Sequence, residues 1–164
     1  MKNNKGFSLV ELIIVIAIMA ILVGVMAPQL IKYIEKTNVS ADTQLADSVK
    51  TAITTTIMDP AVINKNSAQV ASVQAVTAWA NITDLPGNDT DALTVKGGVK
   101  EILGYSVDSA TTKLKSSAKS NSGVIQYKMV DGNTVAVAIT NSDITGKKKT
   151  GQTSLYIVVG ADTY

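Results

Sequence analysis

The stretch that decides the fold runs from Gly6-Phe7-Ser8-Leu9-Val10-Glu11 into an uncharged segment, Leu12 to Ile31. The twenty residues of that segment would rise about 30 Å as a helix, which is the thickness of a bilayer's hydrocarbon. Glu11 places one carboxylate at its front, and an acid in hydrocarbon costs on the order of 3 kcal/mol or more unless it has a partner. The sequence therefore implies a cation close to Glu11.

Residues 1–6 form a short basic segment with two lysines, and they end in Gly6 immediately before Phe7. In this arrangement the chain resembles the type IV prepilins, whose short basic leaders end in glycine before a phenylalanine. The resemblance implies that prepilin peptidase cuts between Gly6 and Phe7 and that Phe7 is then N-methylated. The fifth mature residue of that family is a glutamate, which here is Glu11. The amine freed on Phe7 is the candidate cation, and Glu11 would pair with that amine on a neighbouring subunit.

The apolar segment has two other interpretations. A secretory signal peptide has a shorter apolar core and a small-x-small cleavage site, which Val25-Met26-Ala27 loosely imitates. The long uncharged run, Glu11 and the proline after Ala27 oppose that interpretation. An uncleaved membrane anchor explains the length and the basic start of the chain, but it gives no reason for Glu11 or for the Gly6-Phe7 pair.

We expect the first helix to continue well beyond the apolar segment, because Asp59-Pro60 is the first strong stop signal. The expected organisation is a leader at 1–6, a helix at 7–59 whose part 7–31 spans a membrane or lies in a filament core, and a globular head at 60–164. At helical spacing, the second half of the helix predicts one apolar stripe for packing. Its predicted members are Ile34, Ala41, Leu45, Val49, Ala52 and Ile53.

Pro28 lies inside this helix and lacks the amide that would bond the carbonyl of Gly24. Glycine also weakens a helix. A kink or a locally melted stretch is therefore expected between Gly24 and Pro28. Type IV pilins resemble this chain here too, with a proline at the matching place and a helix that can loosen in the filament; an ordinary kink in a membrane helix is the other interpretation.

The middle of the chain, 60–122, has weak periodicity. Ser67 to Ala80 could form a helix with Ser67 near its cap, and the predicted buried face comprises Val70, Val73, Val76 and Trp79. Three carboxylates, Asp84, Asp89 and Asp91, lie close in sequence and could suggest a hard-cation site. The full spacing of a calcium loop is missing, so a solvated turn is preferred and no metal site is predicted.

The C-terminal third predicts an antiparallel sheet. Apolar residues alternate over 125–129 and again over 135–139, and Asp131-Gly132 supplies a hairpin turn between them. Leu155, Ile157 and Val159 give a third run, and Leu103 to Val107 a possible fourth strand. The expected fold is α+β, with a long N-terminal helix and a sheet packed on its second half, as in type IV pilins.

The composition argues against an enzyme. The 164 residues contain no cysteine and no histidine, which removes thiolate chemistry, a disulfide framework and the usual general base. No catalytic residue or cofactor is predicted. Cleavage would remove Lys2 and Lys5, leaving 13 of the 15 basic residues against 13 acids. A chain with no net charge is not built for broad nucleic-acid attraction, and Lys147-Lys148-Lys149 is interpreted as a solvated loop.

The functional interpretation is a major pilin that is cleaved, held in the cell membrane and then assembled into an extracellular filament. Its expected partners are prepilin peptidase, the pilus assembly machinery, the membrane before assembly and other copies of the chain, through the N-terminal helix. Gly24, Pro28 and Glu11 are the expected assembly residues. The missing cysteines and the Lys-only basic set most resemble a major pilin of a Gram-positive clostridium. A pseudopilin of a secretion or DNA-uptake machine, and a membrane-anchored surface binding module, are the alternatives.

Overall fold

The computed structural model describes residues 7–120, 123–140 and 156–160. The chain divides into two compact units, Met1–Thr37 and Asn38–Tyr164. The first helix, α1, spans Leu9–Met58 and so contributes to both units. The helical stop predicted at Asp59-Pro60 is confirmed.

In the first unit, α1 is an exposed helix. It passes through Gly24 and Pro28 as uninterrupted α-helix, so the stretch is not locally melted in this chain. A proline removes one main-chain hydrogen bond, and the leucines, isoleucines and alanine around it keep the helical conformation on both sides.

In the second unit, α1 supplies one wall of the hydrophobic core. Val49, Ala52 and Ile53 of the predicted stripe are fully buried, and Leu45 packs against the core. Ile34 is wrong as a stripe member, because its side chain is 52% exposed and belongs to the first unit. The buried side of α1 consists of Asp42, Ala46, Val49, Ala52, Ile53, Thr56 and Ile57.

The second helix, α2, spans Pro60–Gln74. Asp59 is its N-cap, with a carboxylate oxygen 2.8 Å from the amide nitrogen of Ala61, and proline suits the first helical position. Asn66 interrupts it with φ −135° and ψ 45°. The predicted helix beginning at Ser67 is therefore the last part of α2.

The end of that prediction is wrong. Val70 and Val73 are buried and Val76 is partly buried, but α2 stops at Gln74. Trp79 lies outside the helix and is only partly buried, and the ammonium of Lys128 lies 4.9 Å from its ring centroid. A cation beside the ring face stabilises an aromatic side chain at a surface, so Trp79 is stabilised there without being buried in the core.

Three short elements follow strand β1, Ala80–Asn81: a 3₁₀ turn at Ile82–Asp84, helix α3 at Val95–Leu103 and a 3₁₀ helix at Val107–Lys113. The strand predicted at Leu103 to Val107 is wrong. Gly104 ends α3 in a left-handed conformation with φ 76°, which favours glycine. Helix α4 then spans Ser117–Ser120.

The sheet has the order β1-β2-β3-β4 and every neighbouring pair is antiparallel. Strands β2, Val124–Asp131, and β3, Thr134–Thr140, form the predicted hairpin, with Met129 opposite Val135. The turn between them is Gly132-Asn133 and not the predicted Asp131-Gly132, because Asp131 still pairs with Thr134 as the last residue of β2. Strand β4, Tyr156–Val159, confirms the third run; Leu155 lies outside the described residues. One core cluster joins the buried face of α1 to six residues of the hairpin: Ile125, Tyr127, Met129, Val135, Val137 and Ile139. The α+β architecture is therefore confirmed.

Candidate functional site

The front of α1 is closed by the acid that the sequence singled out. Glu11 lies in the first turn, and the backbone amide of Ser8 donates a hydrogen bond of 2.9 Å to its Oε2 atom. The first amides of a helix have no partner within it, and a glutamate three residues after a serine N-cap can reach back to accept one. Glu11 is therefore already engaged in the single chain, as part of the helix cap.

This cap gives Glu11 a partner within its own chain. An external cation is the partner predicted from the sequence, but the Ser8-x-x-Glu11 spacing is also a readable capping signal. A carboxylate near a helix N-terminus also interacts favourably with the helix dipole. Because a carboxylate can accept about four hydrogen bonds, capping leaves room for a further donor.

The capped turn brings Glu11 next to the predicted mature N-terminus. Phe7 is 91% exposed and precedes the amide that Glu11 accepts. Gly6 lies outside the described residues, so the predicted cleavage junction is described on its Phe7 side alone. The structure thus brings together Phe7 and Glu11 in one turn, whereas Gly24 and Pro28 lie further along the same helix.

From Leu12 to about Met26 the surface of α1 is apolar on all sides. An 18-residue window in this helix has a mean hydropathy of 3.0 and none of it is buried in the chain, so by length and composition it could cross a membrane. Soluble monomers rarely expose apolar patches of more than a few hundred Å². Gly24 is open, since a Cβ atom built on it would meet nothing within 4 Å. This helix therefore needs lipid or protein around it.

The three carboxylates of the middle segment serve separate partners. Asp91 forms an ion pair with Lys65 at 2.9 Å, and the hydrogen bond from that ammonium holds the pKa of Asp91 below its usual value. The hydroxyl of Ser106 donates to Asp89, whereas the hydroxyl of Thr83 lies 3.4 Å from Asp84. Within the described residues, no three acidic or histidine side chains are grouped as metal ligands.

The structure also reveals a buried acid that the sequence analysis did not consider. Asp42 is 1% exposed, and its two oxygens accept the amides of Lys115 and Ser116 at 2.8 and 3.0 Å. Its position was readable, because Asp42 precedes Ala46 by four residues and Val49 by seven, on the apolar stripe. It ties the segment before α4 to α1. Lys147-Lys148-Lys149 lies outside the described residues.

Comparison with known proteins found the prokaryotic N-terminal methylation motif at residues 1–27. A fimbrial protein of Moraxella nonliquefaciens is 47% identical over 55 residues, covering 34% of this chain and only 36% of that protein. A fimbrial protein of Pseudomonas aeruginosa is 29% identical over 136 residues, covering 79% of this chain and 88% of that protein. The type IV major pilin protein PilE1 of Neisseria gonorrhoeae is 29% identical over 154 residues, covering 89% of this chain and 68% of that protein. No solved structure matched significantly.

Proposed function

We propose that this chain is a structural, non-enzymatic subunit of a type IV pilus. The observation that carries the proposal is the methylation motif at 1–27 joined to a long helix whose apolar front half is exposed. The similarity to fimbrial and pilin proteins over most of the chain supports it, and so does the α+β fold of the second unit.

The proposed maturation begins with the leader, residues 1–6. Prepilin peptidase cuts between Gly6 and Phe7, and the new N-terminus of Phe7 is methylated. The mature chain, with a helical part at 7–59 and a head at 60–164, waits in the cell membrane as a single-pass protein held by residues 7–31. A span of that length matches the hydrocarbon core.

Assembly by the pilus machinery then moves the apolar helix from lipid into a bundle of the same helices from other copies. Lipid tails are as apolar as these side chains, so the exchange depends on close helix packing and on polar contacts. Glu11 supplies the polar contact by receiving the Phe7 amine of a neighbour while its Oε2 atom keeps the amide of Ser8. Gly24 and Pro28 allow the helix to loosen as the filament forms.

We further propose that the chain is the major subunit of its filament and that it comes from a Gram-positive clostridium. Relatives whose names include "major" support the first point. The second point rests on a resemblance of composition, since all 164 residues lack cysteine and every basic side chain is a lysine.

The proposal is tested by Gly6→Leu in cells that lack the native chain. A branched side chain at the cut should block maturation, so mass spectrometry should find the uncut precursor in the membrane and electron microscopy should find few or no filaments. Asn3→Leu is the matched control, since it adds the same side chain to the leader away from the cut, and it should be processed and assembled. An intact mass beginning at Phe7 in Gly6→Leu, or a wild type without filaments, would contradict the proposal.

A further inference from the structure

We infer that four residues of α1 form a collar that binds the headgroups of anionic phospholipids before assembly, at the outer face of the cell membrane. The collar consists of Gln29, Lys32, Tyr33 and Lys36. This inference rests on the proposed stage in which the mature chain is held in the cell membrane. It adds a lipid-binding surface to that stage and names the class of lipid. The four side chains are all exposed in the first unit of the chain.

The collar residues share one face of the helix. Positions separated by three, four and seven residues project from the same side of an α-helix, and 29, 32, 33 and 36 have this spacing within continuous helix. The opposite side carries Ala27, Leu30, Ile31 and Ile34, which are also exposed. Up to about residue 26 the helix is apolar on every side, so its amphipathic part begins within the last turn of the uncharged run.

The depth of the collar follows from the length of that run. From Leu12 to Ile31 the helix has no charge, and its rise of about 30 Å equals the hydrocarbon thickness. With Glu11 near the inner surface, Lys32 reaches the outer headgroups and Lys36 lies one turn beyond it. Lys32, Tyr33 and Lys36 therefore lie where phosphate groups lie, and Gln29 lies just below them at the end of the hydrocarbon.

The side-chain chemistry fits a lipid headgroup. Tyrosine places an apolar ring and a polar hydroxyl at the boundary between acyl chains and water, and lysine extends its ammonium from an apolar stem toward phosphate. Among the described residues, the ion pairs join Lys65 to Asp91 and Lys96 to Asp108, and neither involves the collar. Anionic lipids attract lysines close to the surface, and Lys32 and Lys36 place two exposed ammonium groups there.

The test uses the full chain with Tyr33→Trp and Trp79→Phe in vesicles of equal parts phosphatidylcholine and phosphatidylglycerol. One of the two lipids carries bromine near the headgroup, and bromine quenches nearby tryptophan fluorescence. We expect brominated phosphatidylglycerol to quench about two- to fivefold more than brominated phosphatidylcholine. Adding Lys32→Gln and Lys36→Gln should remove the preference, whereas Lys32→Arg and Lys36→Arg should keep it.

Equal quenching by the two lipids, or a preference that survives both glutamines, would overturn the collar. Quenching by neither lipid, with a spectrum that changes when the chain is diluted into more lipid, would assign the surface to a second copy instead. Met19→Trp in the Trp79→Phe chain separates this failure from failure of the membrane stage. If bromine deep in the acyl chains quenches Trp at 19 while position 33 shows no preference, the span stands and only the collar is wrong.

Discussion

At the scale of single residues, Glu11 caps its helix in the structure, and we propose that it also pairs with another copy. Its carboxylate accepts the Ser8 amide in the isolated chain, which supports the start of α1. A positive amine from another copy would use the remaining lone pairs. The cap makes an acid at the front of an apolar helix tolerable before any partner arrives, and the pairing would make that acid specific in assembly.

Comparing Glu11→Gln with Glu11→Val separates these two functions. A glutamine can still cap the helix although it carries no charge, whereas a valine can neither cap the helix nor supply a charge. We expect both variants to be cleaved normally, to reside at least as stably in the membrane and to give far fewer filaments, because each loses the attraction to the Phe7 amine. Cleavage and filament yield are measured together in cells lacking the native chain. If glutamine supports normal fibre yield while valine does not, capping alone accounts for Glu11 and the amine pairing has no role.

Asp42 gives the second prediction at this scale. Replacing it with alanine removes both acceptors, which leaves the buried amide of Ser116 and the partly buried amide of Lys115 without their partner. We expect a loss of about 2–4 kcal/mol in the free energy of unfolding, and a smaller loss for Asp42→Asn, which keeps one acceptor. Asp47→Ala, an exposed position on the same helix, should change it by less than about 0.5 kcal/mol. Denaturant unfolding measures the free energy of unfolding of all three variants. Equal losses for Asp42→Ala and Asp47→Ala would show that Asp42 does not tie the segment before α4 to α1.

At the scale of elements, the sequence was most informative where one period persisted. The length of α1 and the β2–β3 hairpin were predicted, because a long apolar helix and an Asp131-Gly132 turn between alternating runs are strong signals. Most elements of the middle segment were not predicted, because they are too short to show a period: β1 has two residues and α3 has nine. Such short elements depend on caps and close contacts more than on periodicity. Trp79 was misplaced for the same reason, since nothing in its own segment indicates Lys128.

The packing of α3 on α1 depends on a glycine, and this gives a prediction for these elements. A Cβ atom on Gly98 would lie 2.6 Å from Cγ2 of Thr56, so the two helices approach closely there. Gly98→Ala should destabilise the second unit by about 1–3 kcal/mol, as overpacking does.

Thr56→Ser removes the methyl group that the new Cβ meets, so it should restore part of the stability lost in Gly98→Ala. The rescue would be incomplete, because the carbonyl oxygen of Ala92 also lies 3.1 Å from the same position. Thermal unfolding of the two single variants and the double variant gives the coupling. Simple additivity of the two changes would show that the helices do not meet through this contact.

At the scale of the whole molecule, the two compact units, Met1–Thr37 and Asn38–Tyr164, differ in how they place their apolar side chains. The first unit exposes its apolar side chains throughout, whereas the second gathers its own into one core. The sequence predicted both the apolar helix and the folded head. It predicted the end of the helix at residue 59 and an apolar stripe on its second half, and that half of α1 packs against the core of the head.

Removal of residues 1–37 tests this division. A chain of residues 38–164 keeps the part of α1 that carries Asp42, Val49 and Ile53, so it retains every α1 residue of the core. We expect it to remain in solution without detergent as a monomer and to unfold in one cooperative transition. It should not form filaments or enter wild-type fibres, because it lacks Phe7, Glu11 and the apolar helix. A chain of residues 60–164 is the control, and it should fail to fold since it lacks the α1 wall of the core. If the shorter chain folds as stably as the longer one, α1 is dispensable for the head and the boundary at residue 59 is the better description.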